Sequence, residues 1–293
     1  MYQIMDIKGF YFKNLKKLLV LPIGLIILSI LIISYTYVKT GDFIHKDVTL
    51  QGGISATLQI QQEFPELEQQ IKKETGKDVL VRILTEFGSD DQKGIVIESS
   101  SITNEELKPI LEKITNVEIT NENYSVEETG SSLGEAFYKQ MVTAIIISFI
   151  LMSLVILIIY RTIIPSIAVI SAAFSDMLVT IAMINLLGIS VSTAGIAAIL
   201  LLIGYSVDTD VLLTTKMLKR KEETIENRML KSINTGLAMT ATTLAALLVG
   251  YFISNSFVIK EMFIILIIGL IVDVIMTYIL NANILLGYVK KHG

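Results

Sequence analysis

Residues 191–215 read VSTAGIAAILLLIGYSVDTDVLLTT, and this stretch decides the fold. A hydrocarbon core about 30 Å thick is crossed by roughly 20 apolar residues in a helix. The stretch is long enough, yet it carries two charges, Asp208 and Asp210. An aspartate near the centre of a span costs roughly 2.5–3.5 kcal/mol on insertion scales. A span that keeps them belongs in a bundle, against other helices or a wet cavity. The rest of the chain supplies that bundle. Further apolar runs fall at about 18–38, 140–160, 164–187, 233–253 and 262–287, interrupted only by Asp176 and Asp273. Gly188-Ile189-Ser190 separates the third run from the fourth. Six membrane helices are expected.

Composition agrees. Of 293 residues, 52% are hydrophobic and 18% charged, against about 25% charged in average soluble domains. Mean hydropathy is +0.64. Net charge is −4, which leaves no basic field for nucleic acid. There are no cysteines, and His45 and His292 have no ligand spacing around them, so no metal or cofactor is indicated. No G-x-x-x-x-G-K-[ST] loop occurs. The aspartates lack the Tyr-Asp and Gly-x-Gly-Asp pairing of intramembrane proteases, and nothing marks an enzyme.

Lys13, Lys16 and Lys17 precede the first run, which is too long for a signal peptide and has no small-x-small cleavage site, so it reads as an uncleaved anchor. Basic residues cluster at the N-terminus, at Arg161, at 216–231 and at Lys290-Lys291. With six spans these segments share one side, which the positive-inside rule makes the cytosol. Both termini are then cytosolic in a multi-pass plasma-membrane protein. Residues 1–38 hold the N-terminus and first span, 39–139 an extracytoplasmic domain, and 140–293 spans two to six.

The block 39–139 holds 10 Lys/Arg and 19 Asp/Glu, a solvated acidic exterior. Strands are expected at 47–60, with a bulge at Gly52-Gly53, at 78–86 and 93–99, joined by residues 88–91, and at 117–126. Helices are expected at 64–75, ended by Gly76, and from Thr103, whose Glu106 three residues on makes a capping box. The order β-α-β-β-α-β is the ferredoxin-like split βαβ arrangement.

Helical spacing arranges the polar groups in the spans. Asp273, Thr277 and Asn281 share one face, as do Ser206, Asp210 and Thr214, and Asp176 pairs with Thr180. Asp208 and Asp210 stand about 200° apart, so one face cannot hold both. The set is a polar seam that carries protons, or the hydrogen-bonded glue of a helix interface.

These residues carry a resemblance. Six spans with one large domain between the first two is the layout of half an RND-type transporter. The run from Gly204 to Asp210 (GYSVDTD), followed by VLLT, resembles the fourth-span signature of the SecF family of protein-export membrane subunits in its archaeal form. Gly52-Gly53, the GSSLGE stretch from Gly130 to Glu135, Ser175-Asp176 and Thr242-Thr243-Leu244 are similar to family features as well. The resemblance implies an accessory subunit that acts with a six-helix SecD-like partner and the SecY-type translocon on a translocating polypeptide, driven in bacteria by the proton gradient. In bacterial members the key aspartate aligns with Thr209, and their span-five arginine has no counterpart here, Thr235 standing near its place. Alternatives are half of an RND-type small-molecule or lipid exporter, or a structural tether. If the domain pivots, Gly41, Gly130 and Gly134 are the expected hinges.

Overall fold

The computed structural model describes residues 11–85, 92–219, 223–254 and 256–292. Six helices are long and apolar enough to cross a membrane. Residues 11–18 are helical and lead into α1 (Val20–Thr40). Then come α2 (Val48–Gln51), β1 (Gly53–Leu58), α3 (Leu67–Thr75), β2 (Leu80–Thr85), β3 (Gln92–Ser99), α4 (Asn104–Thr115) and β4 (Tyr124–Thr129). The remaining elements are α5 (Ser131–Tyr160), α6 (Ile163–Leu186), α7 (Thr193–Lys219), α8 (Ile225–Ile253), α9 (Phe257–Ile275), a π-helical turn (Met276–Asn281) and α10 (Ala282–His292).

The spans are not equivalent. In their most apolar stretches α6, α7 and the α9 span are 50–56% buried, while α1, α5 and α8 are 6–11% buried. The first three form the core, and these are the spans that carry aspartates. Small residues permit close approach: a Cβ on Gly269 of α9 would lie 2.3 Å from Leu202 of α7.

The inserted domain is a four-stranded antiparallel sheet in the order β2-β3-β1-β4. Residues of β1 alternate between buried and half-buried, and Ile54, Ala56 and Leu58 meet Leu67, Ile71, Leu107 and Leu111 of the two helices. Helix ends follow the sequence. Gly76 caps α3 in the left-handed region, and the Thr103 amide donates to the Glu106 carboxylate at 3.3 Å in a capping box at α4.

Several boundaries differ from expectation. Residues 48–51 form a helical turn rather than a strand, because Asp47 caps it by accepting from the Val48 amide. Gly52, at φ +84, ends the turn, and a Cβ there would meet the Ser131 backbone at 2.3 Å. The last strand is 124–129, not 117–126. Asn123 accepts from the Thr120 amide at 2.8 Å and donates to the Glu118 carbonyl at 2.9 Å, which fixes a turn in place of a strand. The helix that carries span two starts at Ser131, well before its charge-free run. The turn expected at 88–91 lies outside the described residues, as do Lys8, Arg220 and Lys221.

Candidate functional site

The polar groups of α6, α7 and the α9 span meet in the interior of the helix core. Asp176, Asp210, Asp273, Thr277 and Asn281 are each 0–1% exposed. Ser206 of α7 donates to Asp176 of α6. Thr209 of α7 donates to Asp273 of α9 at 2.9 and 3.0 Å, and lies 3.3 Å from the Thr277 hydroxyl. Thr277 also donates to Asp273, at 3.0 Å. One turn further along, Asn281 donates its amide to Asp210 at 2.7 Å. Asp273 and Asp210 are both close enough to act electrostatically on Asp176. Among the described residues, hydroxyls and an amide, not cations, therefore solvate the three carboxyl groups.

Each sequence-derived candidate has a definite place. Asp273, Thr277 and Asn281 share the inward face, although the chain switches there from α- to π-helix at Met276. π turns inside helices recur at functional sites. Ser206, Asp210 and Thr214 are buried together on α7, and Thr180 is buried one turn from Asp176. Thr180 Oγ1, Thr214 Oγ1, Asp176 Oδ1 and Asp210 Oδ2 are buried with no hydrogen-bond partner among the described residues. Asp208 is exposed on the opposite side of α7, with Gly204 and Tyr205. Gly41 has φ +81 and open space where a Cβ would go; Gly130 is equally open. A Cβ on Gly134 would come within 2.7 Å of the Gly52 amide nitrogen.

Two things escaped the periodicity argument. Thr209 is the hydroxyl that ties α7 to α9; it stands three residues after Ser206, a helical spacing that puts it near the inward face and that could have found it. The second is an acidic group at the junction of the inserted domain and the spans. The acidic exterior was expected to be solvated throughout, but Asp47 and Glu98 are 9% and 6% exposed, and Glu261 at the start of α9 is 3% exposed. Glu261 accepts from the Ser192 amide at 2.8 Å. A Cβ on Gly195 would sit 2.1 Å from Glu261 Oε1, so only glycine lets the carboxylate into that place. Burial raises Asp47 above its ordinary carboxylate value, and burial, with the charges of Asp47 and Glu261 adding, carries Glu98 up to about 7. Among the described residues, no group of three or more His, Asp or Glu side chains is arranged to hold a metal ion.

Comparison with known proteins places this arrangement. Residues 109–291 match the family described as protein export membrane protein SecD/SecF, C-terminal. The protein-export membrane protein SecF of Pyrococcus furiosus is 37% identical over 94% of this chain and 92% of its own length. The SecF proteins of Methanolacinia petrolearia and Methanocaldococcus jannaschii are 32% and 31% identical, over 95% and 96% of this chain and 95% and 98% of their own. Among solved structures, SecDF of Thermus thermophilus, a translocon-associated membrane protein, superposes with a TM-score of 0.72 at 18% identity. That similarity covers 94% of this chain but 38% of the SecDF chain.

Proposed function

The chain belongs to the SecF proteins of the SecD/SecF protein-export membrane family, and from that membership we propose that it is an accessory subunit of Sec protein export. It acts with a SecD-like six-helix subunit beside a SecY-type translocon and assists a polypeptide across the plasma membrane. The end-to-end similarity to archaeal SecF proteins carries this reading. The superposition on part of a longer SecDF chain supports a partner that supplies the rest.

Finer features belong to the same proposal. Residues 39–139 are taken as the extracytoplasmic domain, with both termini in the cytosol, on the strength of the basic residues at 13–17 and 216–231. The strand order β2-β3-β1-β4 supports a ferredoxin-like assignment. The seam Asp176–Ser206–Thr209–Asp210–Asp273–Thr277–Asn281 is proposed to pass or sense protons during the cycle. Its support is three carboxyl groups within one buried network of hydroxyls. Gly41 and Gly130 are proposed as flexible points of the inserted domain; Gly134, packed on Gly52, serves as its seat.

Affinity purification from native membranes tests the partnership. The expected result is a second six-span protein together with translocon subunits; their absence counts against it. Single changes Asp176→Asn, Asp210→Asn and Asp273→Asn then test the seam. Export slowed at least tenfold in assembled complexes supports a proton role, and unchanged export leaves a structural tether.

A further inference from the structure

The chain crosses between the four-stranded domain and the membrane block at Gly52-Gly53 and at Thr129–Ser131, and one charged contact spans the same junction. The Arg82 guanidinium of β2 lies 3.3 Å from Glu98 Oε2 on β3 and 4.0 Å from the ring centre of Phe257, the first residue of α9. Asp47 and Glu261 come from the other side. Asp47 is anchored to the membrane block, its amide donating to the Val191 carbonyl at 3.0 Å, while the Val191 amide donates to the His45 carbonyl at 2.7 Å. Glu261 is held by the Ser192 amide. Both act electrostatically on Glu98, and Glu127 of β4 acts on Asp47.

The nearby cations are engaged elsewhere. Lys46 pairs with Asp42 at 2.7 Å and lies over the Tyr138 ring, and Lys260 faces the Tyr251 ring. Among the described residues, one guanidinium therefore answers three buried carboxyl groups. A cleft of about 200 Å³, lined by Lys46, Asp47, Asp78, Leu80, Glu98 and Ser190, opens on this point and gives water access to it. Toward the membrane interior an apolar layer, Ile199 and Leu202 of α7 with Ile265 and Leu266 of α9, separates it from the aspartate seam.

We infer that Arg82, Glu98, Asp47 and Glu261 form a proton-dependent latch that holds the inserted domain against the membrane block when a carboxyl is protonated and releases it when all three ionise. Arg82 balances one carboxylate; each further ionisation adds like charge among side chains that are buried apart from the edge they show to the cleft. The sign follows from Glu98, which stands at about 7 docked and returns toward the ordinary glutamate value of about 4.3 once solvated. Docking is then fully favoured below the solvated value and weakens as pH rises through about 7. Acid closes the latch and base opens it. The closed-to-open ratio falls about 500-fold in all as pH rises from below the lower of those two values to above the higher.

The chain has no native cysteine, so spin labels at Glu105→Cys on α4 and Leu187→Cys at the end of α6 report the domain-to-membrane distance in the full chain in native-lipid nanodiscs. Between pH 5.5 and 8.5 the long-distance population should grow, with a midpoint near 7. Glu98→Gln, which keeps the shape of the protonated group, should stay closed throughout. Arg82→Ala should be open at pH 8.5, and Glu128→Gln on β4 should keep the full response. An unmodified chain whose distances do not move with pH, or a Glu98→Gln chain that keeps the response, overturns the latch. The readout is a distance, so either outcome leaves the export reading to its own test.

Discussion

Two groups of three carboxylates sit in this chain about 12 residues apart along α9, and they are built differently. In the seam, Asp176, Asp210 and Asp273 bond to Ser206, Thr209, Thr277 and Asn281, and the apolar layer closes them off from the junction. At the junction, Asp47, Glu98 and Glu261 lie around Arg82; Glu261 holds the Ser192 amide, and Asp47 and Glu98 line a cleft. Neutral donors can satisfy a carboxyl in either protonation state without moving, because hydroxyls both donate and accept. A guanidinium donates only, so it fixes one carboxylate and leaves the others to compete. The first design suits a group that exchanges protons while its helices stay packed. The second suits a contact that opens.

The largest effect is expected where the seam loses its acceptor. Asp273→Leu takes the carboxylate away from the buried Thr209 and Thr277 hydroxyls, which fall back on the Ser206 carbonyl at 2.9 Å and on each other at 3.3 Å, and forces a larger apolar side chain into the seam, at about 1–3 kcal/mol. Thermal unfolding in detergent should show a clear drop. Asp273→Asn retains a carbonyl acceptor in nearly the same volume and should lose much less, so equal losses for the two would show that the acceptor at 273 does not hold the seam together. Next comes Arg82→Ala at the junction. Protease accessibility of the inserted domain should rise at pH 7, where the unmodified chain is still partly closed, and rise less at pH 5.5, because Glu98 without its cation takes up a proton in acid; a pH-independent rise would remove the charge argument.

Gly195→Val should follow. Its Cβ meets Glu261 Oε1 and, at 2.9 Å, Val191 Cγ1, an overpacking cost of about 1–3 kcal/mol. Hydrogen exchange at Ser192 should accelerate as the carboxylate is displaced, while exchange around Thr209 stays slow. The smallest effect belongs to Asp208→Asn. Its carboxylate is exposed and outside the seam, so the isolated chain should shift by no more than about 0.5 kcal/mol. A loss as large as that of Asp273→Leu would mean that the two faces of α7 are assigned the wrong way round.

Much of the membrane half was legible in the residues. Charge-free runs located the six helices, and the 3.6-residue period put Asp273, Thr277 and Asn281 on one face before any partner was known. The strands of the inserted domain were harder. The run 47–60 is β-prone throughout, yet the Asp47 cap turned its first residues into a helix. Side-chain capping over a few residues outweighs weak strand propensity there.

What the sequence determined by itself is whatever depends on neighbours along the chain: the number and order of the spans, the capping box at Thr103, the inward triad of the α9 span, and membership in the SecF family. Only the tertiary structure decided which side of α7 faces inward, and so that Thr209 rather than Asp208 meets Asp273. Adjacent residues on a helix point about 100° apart, and burial of one over the other depends on which helices pack around it. The junction is the extreme case. Asp47, Arg82, Glu98 and Glu261 come from four separate elements, and no local pattern announces a contact made only when the domain folds back onto the spans.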